Sequence, residues 1–234
     1  MTRRPDATRT STRPTARLSL EAIVAAAIAM ADRDGLDSVS MRRLGLELGV
    51  NPMSLYHHVR DKGALVDAMA DGVIAEITPA SDVPQGQAWT DELRLLVMAA
   101  RHAMIGHPWA VAAVQQRNAP SAAMLRHIDR VLGILRRGGC SVALRHHAVH
   151  VLGSQILGFS QGLYNDAPDV RADPVVLAEQ FRAWAAVMPD VVELGRAATH
   201  GGALGGCDDD VEFAFALDLV LDGLERRRLA DSQT

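Results

Sequence analysis

A chain of 234 residues that is 48% hydrophobic can bury a sizeable core, in one large or two small domains. Only 4% of it is aromatic, so that core is built from Leu, Val, Ile, Ala and Met, a composition that favours helices over sheets. The net charge of -4 speaks against a nucleic-acid partner until it is divided: residues 1–62 carry nine Arg and one Lys against seven carboxylates, residues 63–234 fourteen Arg against twenty-one.

Several function classes are excluded early. Cys140 and Cys207 lie far apart and form no C-x-x-C pair, so neither a disulfide scaffold nor a cysteine zinc site is expected, and a reducing cytoplasm is the natural compartment. No apolar run reaches the roughly 18 residues of a membrane span, and the Arg-rich start has no apolar segment behind it. There is no G-x-S-x-G elbow, phosphate loop, H-E-x-x-H or glycine fingerprint. Neither an enzyme nor a cofactor is called for.

In chain order, residues 1–17 alternate Arg3, Arg4, Arg9, Arg13 and Arg17 with Pro, Thr and Ser, which reads as a disordered basic arm. Such an arm can also follow a DNA backbone or enter a minor groove. Ser19 caps a helix to Asp34, with Leu20, Ile23, Val24, Ala27 and Ile28 on one face, and Gly35 ends it. Ser40 caps a second helix with Leu44 and Leu48 four apart, and Gly49 ends that one. Asn51 caps a third, about 52–58, with Pro52 at the first helical position, where its missing N–H costs nothing.

Two starts this close leave only a tight turn at Leu48 to Val50, so the pair reads as a helix-turn-helix. Its second helix spends only Leu55 and Val59 on packing, a pattern suited to a helix that enters a major groove. Candidate DNA contacts are Ser40, then Pro52, Met53, Ser54, Tyr56, His57 and His58, then Lys62 behind the cap Asp61 at a positive helix end. The competing reading is an ordinary helical hairpin with a solvated face. A connecting helix spans Ala64 to Ile77 with Leu65, Met69, Val73 and Ile77 at four-residue intervals, and Thr78 and Pro79 stop it. Residues 78–88 read as a linker.

Beyond the linker, residues 89–234 read as an all-helical body. Thr90 caps a helix to Gly106. A short helix follows Pro108, and a longer one follows Pro120, ending at Gly138 and Gly139. Ser141 starts another, to about Gly162, and 163–173 is loop. Pro174 and Pro189 open helices to about Val187 and Ala198, 200–210 is a Gly-rich break, and a last helix covers 209–229. That last helix carries Val211, Phe213, Phe215, Leu217, Leu219, Val220, Leu221 and Leu224 nearly all round, so it needs cover on more than one side. An isologous dimer supplies it, through Phe215, Leu219 and Leu224 with Gly153, Ile156 and Leu157 of the 141–162 helix, where Gly153, Ser154 and Gly158 permit close approach. Alternatively both helices are simply central in one chain.

A pocket between the helices of about 89–162 would be apolar with a few polar groups. The candidates are His102, Gln116, His127, His147, His150 and Gln155, with Gln115, Asn118 and His146 behind them. His146, His147 and His150 have the spacing of metal ligands, but no carboxylate or cysteine follows as a further ligand, so no metal site is expected.

The stretch from residue 18 to residue 77 resembles the DNA-binding domain of TetR-type transcriptional regulators. The resemblance rests on D-x-G-L-x-S-x-S closing the first helix, then R-x-L-x-x-x-L-G-V, S-L-Y-x-H-V and K-x-x-L-x-D-A. It implies a three-helix head, a fourth connecting helix, a ligand-binding body and a homodimer on double-stranded operator DNA, released by a small-molecule effector. It also implies that Arg42, Pro52, Met53, Tyr56, His57 and His58 meet DNA and that Lys62 takes a phosphate. The body is similar to that of the tetracycline repressor class, in R-R-G-G-C-S and F-A-L-D-L-V-L-D-G-L-E. The drug-contacting positions of that class fall on Leu96, Ala100 and Val114, so tetracycline is not the expected effector. A helical small-molecule or metal-binding protein, or an unrecognised enzyme, is the alternative.

Overall fold

The structure is a computed structural model that describes residues 18–77, 88–117, 119–158, 179, 182–190, 192–193 and 209–232. Its described elements are helical, with no strand among them: α1 Leu20–Asp34, α2 Met41–Leu48, α3 Pro52–Leu55, α4 Lys62–Glu76, α5 Trp89–Gly106, α6 Pro108–Gln115, α7 Ala122–Arg137, α8 Val142–Gly158 and α9 Asp209–Asp231. No described helix is long and apolar enough to cross a membrane.

The chain forms two compact units, Met1–Ala75 with Gly106–Ala119, and Glu76–Ile105 with Pro120–Thr234. The first is built on local signals. Ser19 Oγ accepts the Ala22 N–H at 3.2 Å, Ser40 Oγ accepts that of Arg43 at 3.2 Å, and Asn51 Oδ1 accepts that of Met53 at 2.9 Å. Each satisfies one donor that a helix start leaves open. Inside the unit, Ile23, Ala27, Met30, Val39, Leu44, Leu55, Leu65, Met69 and Val73 are fully buried. The large ones each contribute on the order of 1.5–3 kcal/mol.

Three helix bounds differ from the sequence reading. The third helix is regular only to Leu55. Its continuation through His58 is a turn in which the Leu55 carbonyl accepts both the His58 and Val59 N–H groups at 2.9 Å. Tyr56, at ψ -13, has already opened the helical pitch. The connecting helix begins at Lys62 rather than Ala64, because Asp61 Oδ1 caps the Ala64 N–H at 2.8 Å. Thr90 lies in the first turn of α5 and does not cap it, since the Ala88 carbonyl already accepts from Asp91 and Glu92. The expected linker at 78–88 lies outside the described residues apart from Ala88, as do the 163–173 loop and most of 174–208.

An unforeseen set of contacts puts α6 in the first unit, although the chain reaches it only after α5. Asp32 Oδ1 on α1 accepts from Trp109 Nε1 at 2.7 Å and pairs with His107 Nδ1 at 2.8 Å. Beyond the other end of α6, Arg117 binds Asp71 at 2.6 Å and the Asp67 carbonyl, both on α4.

In the second unit α7 and α8 form an antiparallel hairpin around Gly138 and Gly139, and α9 packs on α8. Gly139 holds φ +84, which favours glycine. Gly138 is needed for a different reason, because a Cβ there would meet the Trp89 ring at 2.5 Å. Gly138→Ala should therefore push Trp89 off the hairpin turn and lower unfolding stability by about 1–3 kcal/mol in a urea titration; a loss below about 0.5 kcal/mol would show that this contact does not constrain the turn.

Candidate nucleic-acid interface and ligand-facing residues

The angle between α2 and α3 is set by two glycines. Gly49 takes the left-handed conformation, φ 67 and ψ 28, and its N–H returns to α2 carbonyls. Gly45 lets the chain fold back, since a Cβ there would lie 3.0 Å from the Val50 carbonyl and 3.1 Å from the Pro52 ring. Leu44, Leu55 and Val59 are buried beneath this junction.

With that face spent, the remaining third-helix side chains point to solvent. Met53 is 67% exposed and Tyr56 46%, far above the usual burial of such apolar groups. His57 and His58 are exposed, while Pro52 and Ser54 are half-buried. On α2 the two adjacent arginines differ. Arg43 is spent inside the unit, on Asp34 at 2.6 Å and the Ser38 carbonyl, whereas Arg42 is exposed and makes no ion pair among the described residues. Arg33 is tied to Glu47 in the same way. Ser40 is half-buried, with its oxygen engaged as the α2 cap.

Lys62 is exposed in the first turn of α4. The Ala64 N–H, and then Arg60, hold the Asp61 carboxyl below the usual carboxylate range, so the cap stays ionised. Sequence reasoning overlooked Leu46, which is 74% exposed on α2. Its signal was available, because in L-G-L-E-L only the outer leucines share the face of Met41.

The ligand candidates are not gathered together. Gln116 is exposed in the first unit, and His102, His147 and His150 are exposed in the second. Asn118 lies outside the described residues. The rings of His147 and His150 stand 5.5 and 4.7 Å from that of His146 on the outer side of α8. No group of three or more His, Cys, Asp or Glu that could hold a metal ion occurs among the described residues. His127 and Gln155 differ from the rest, since each is half-buried and carries a buried nitrogen with no hydrogen-bond partner among the described residues, Nδ1 and Nε2. Burial, then Arg130, pushes the His127 imidazole below its ordinary value.

Of the helix expected to be apolar all round, one stripe faces inward. Phe213, Leu217, Leu221 and Leu224 are buried in the unit, so Leu224 is spent inside the chain. Val211, Phe215 and Leu219, about 200° round from that stripe, are 54%, 61% and 55% exposed. On α8, Gly153, Ile156 and Leu157 are half-buried, and a Cβ at Gly153 or Gly158 would meet nothing within 4 Å.

Two family descriptions match the chain: "Bacterial regulatory proteins, tetR family" over residues 23–69, and "Tetracyclin repressor-like, C-terminal domain" over residues 83–228. The HTH-type transcriptional repressor DrrR1 of Streptomyces coeruleorubidus is 30% identical over 93% of this chain and 81% of its own. Among solved structures, apo ActR from Streptomyces coelicolor superimposes with a TM-score of 0.69 at 24% identity, covering 92% of this chain and 99% of that one. The same organism's ActR in complex with (S)-DNPA gives 0.63 at 25% identity, covering 89% and 98%.

The lowered His127 value sets a pH dependence. A folded-state value below the unfolded one near 6.5 means that the unfolded chain binds more protons as pH falls past that point, so stability present above it is lost on acidification. The unfolding midpoint of the native chain should fall more steeply below about pH 6.5 than that of His127→Leu; parallel curves for the two would show that His127 is not held neutral.

Proposed function

The chain belongs to the TetR family of bacterial regulatory proteins, and from that membership we propose that it is a homodimeric repressor that grips a palindromic operator and releases it when a small molecule enters its body. In this reading residues 18–77 are the DNA-binding head with its connecting helix, 78–88 the linker and 89–234 the ligand-binding and dimerisation region. The protein works in the cytoplasm, where the operator is.

The observation that carries the reading is the exposure of Met53, Tyr56, His57 and His58 on one short helix whose other face, Leu55 and Val59, is buried. A monomeric core has no use for Met53 and Tyr56 in water. A major groove offers thymine methyls to the one and phosphate or base acceptors to the other. Arg42 and Lys62 supply phosphate contacts, which fix register and make binding salt-sensitive. Ser40 and Ser54 add hydroxyls at the margins.

Dimerisation gives two such heads a palindrome to read. The outward Val211, Phe215 and Leu219 of α9 support it, because three large apolar side chains one turn apart form a stripe that a second copy covers. Gly153, Ile156 and Leu157 of α8 are the proposed companions. Ligand control is supported by the similarity to ActR, solved in complex with (S)-DNPA. The repressor sign is supported by the likeness to DrrR1.

The test is fluorescence anisotropy of labelled DNA from just upstream of the chain's own gene, with competitor, in about 0.15 M salt. Tight binding by the native protein, weakened about tenfold or more by Tyr56→Ala, is the expected outcome. Lys62→Ala should weaken all sequences alike and reduce the salt slope by about 1. Equal weak binding of every sequence by native and Tyr56→Ala protein would sink the assignment.

A further inference from the structure

His146, His147 and His150 lie close together on α8, and all three are exposed. Ala148, fully buried, centres an inward stripe with Leu144 and Leu152. It lies roughly 160–200° round the helix from His146 and His150, so the packing that buries it also fixes these two histidines toward water. Residues four apart on a helix are neighbours on one face, with Cβ atoms roughly 5–6 Å apart. The His146 and His150 rings have come closer than that, to a centroid distance of 4.7 Å.

That separation is a chelating one. With metal–nitrogen bonds of about 2.0–2.1 Å, two imidazoles on one cation, at an angle between square-planar and tetrahedral, have ring centroids roughly 4.5–5 Å apart. The backbone of α8 therefore has no need to move, and rotation of each ring about its own bond to Cβ aims one nitrogen of each at a common point. His147 does not share this bite. Its ring is 5.5 Å from that of His146, and it leaves the helix about 100° further round. No group of three converges among the described residues, so the chain supplies two ligands and water fills the other positions, as in an open site.

We propose that His146 and His150 form a two-histidine chelate for one divalent transition cation of the nickel, copper and zinc class, on the outward face of α8. The inference does not depend on the repressor reading. Imidazole suits these ions, whereas Mg²⁺ and Ca²⁺ take oxygen ligands, and α8 carries no Asp or Glu to provide them. Gly153 and Leu157 follow His150 at i+3 and i+7, on the same side of the helix. The cation thus sits at one end of the α8 stripe proposed for dimerisation. By joining two successive turns it also holds α8 helical, since the two imidazoles are spaced for one ion only while the helix is intact.

The test is isothermal titration calorimetry of the untagged full chain, stripped of metal, with NiCl₂ as the probe. One Ni²⁺ per chain is the expected result, and MgCl₂ should give no binding. His146→Ala and His150→Ala should each weaken Ni²⁺ binding by about tenfold or more, because the remaining imidazole loses its intramolecular partner. His147→Ala should change it by less than about twofold. Alanine at these exposed helical positions is a good helix former, so the variants keep the fold. Nickel should also raise Tm in the native chain and in His147→Ala, and leave it unchanged in the other two. Absence of a Ni²⁺ site in the native chain would overturn the proposal. So would binding that survives both His146→Ala and His150→Ala, a loss as large in His147→Ala, or a native Tm that nickel does not raise.

Discussion

The close approach of α2 to the start of α3 is the constraint from which the rest of the head follows. Without a side chain at Gly45, the Val50 carbonyl and the Pro52 ring can lie against α2, and with Gly49 in the left-handed region the chain needs only three residues between helices. That spacing buries Leu44, Leu55 and Val59 together. Once those three are committed, Met53, Tyr56 and the paired histidines have nowhere to go but outward. The exposed face of α3 is the remainder left by a packing solution, held in place by the side chains buried on its other face.

Much of this was legible because it is local. Ser19, Ser40 and Asn51 announce helix starts through hydrogen bonds that reach only two or three residues, and Gly35 and Gly49 announce ends through backbone geometry alone. Apolar spacing then orients each helix. What escaped is long-range. Nothing in the neighbourhood of Asp32 says that it will accept from Trp109, and nothing near Asp71 names Arg117. Those pairs decide that α6 belongs with the first unit. The same limit explains Trp89, whose ring is matched to a glycine forty-nine positions later.

The ligand candidates show the limit from the other side. Residue type alone set His102, His147, His150, Gln116, His127 and Gln155 on one footing. Burial separates them, since only the last two join partial cover to unmet hydrogen-bonding capacity. Sequence cannot see an unmet hydrogen bond, because the test is what the far side of a helix finds after packing. For α9 the sequence shows apolar residues nearly all round but not which of them the chain itself buries. Residue type does not separate Leu224 from Leu219; burial does, with Leu224 turned inward and Leu219 55% exposed.

The double grip of Asp32 on His107 and Trp109 has a bearing on how the protein is made. The first unit is discontinuous in the chain: its last segment is synthesised only after the eighteen residues of α5, which belong almost entirely to the other unit. A nascent chain that has exposed only α1 to α4 therefore lacks Trp109 and Arg117, and Asp32 and Asp71 face solvent until the ribosome has moved about forty residues further. The first unit matures late, only after α5 has been made, and a fragment cut at the end of α4 would keep the outward face of α3 on an incomplete support.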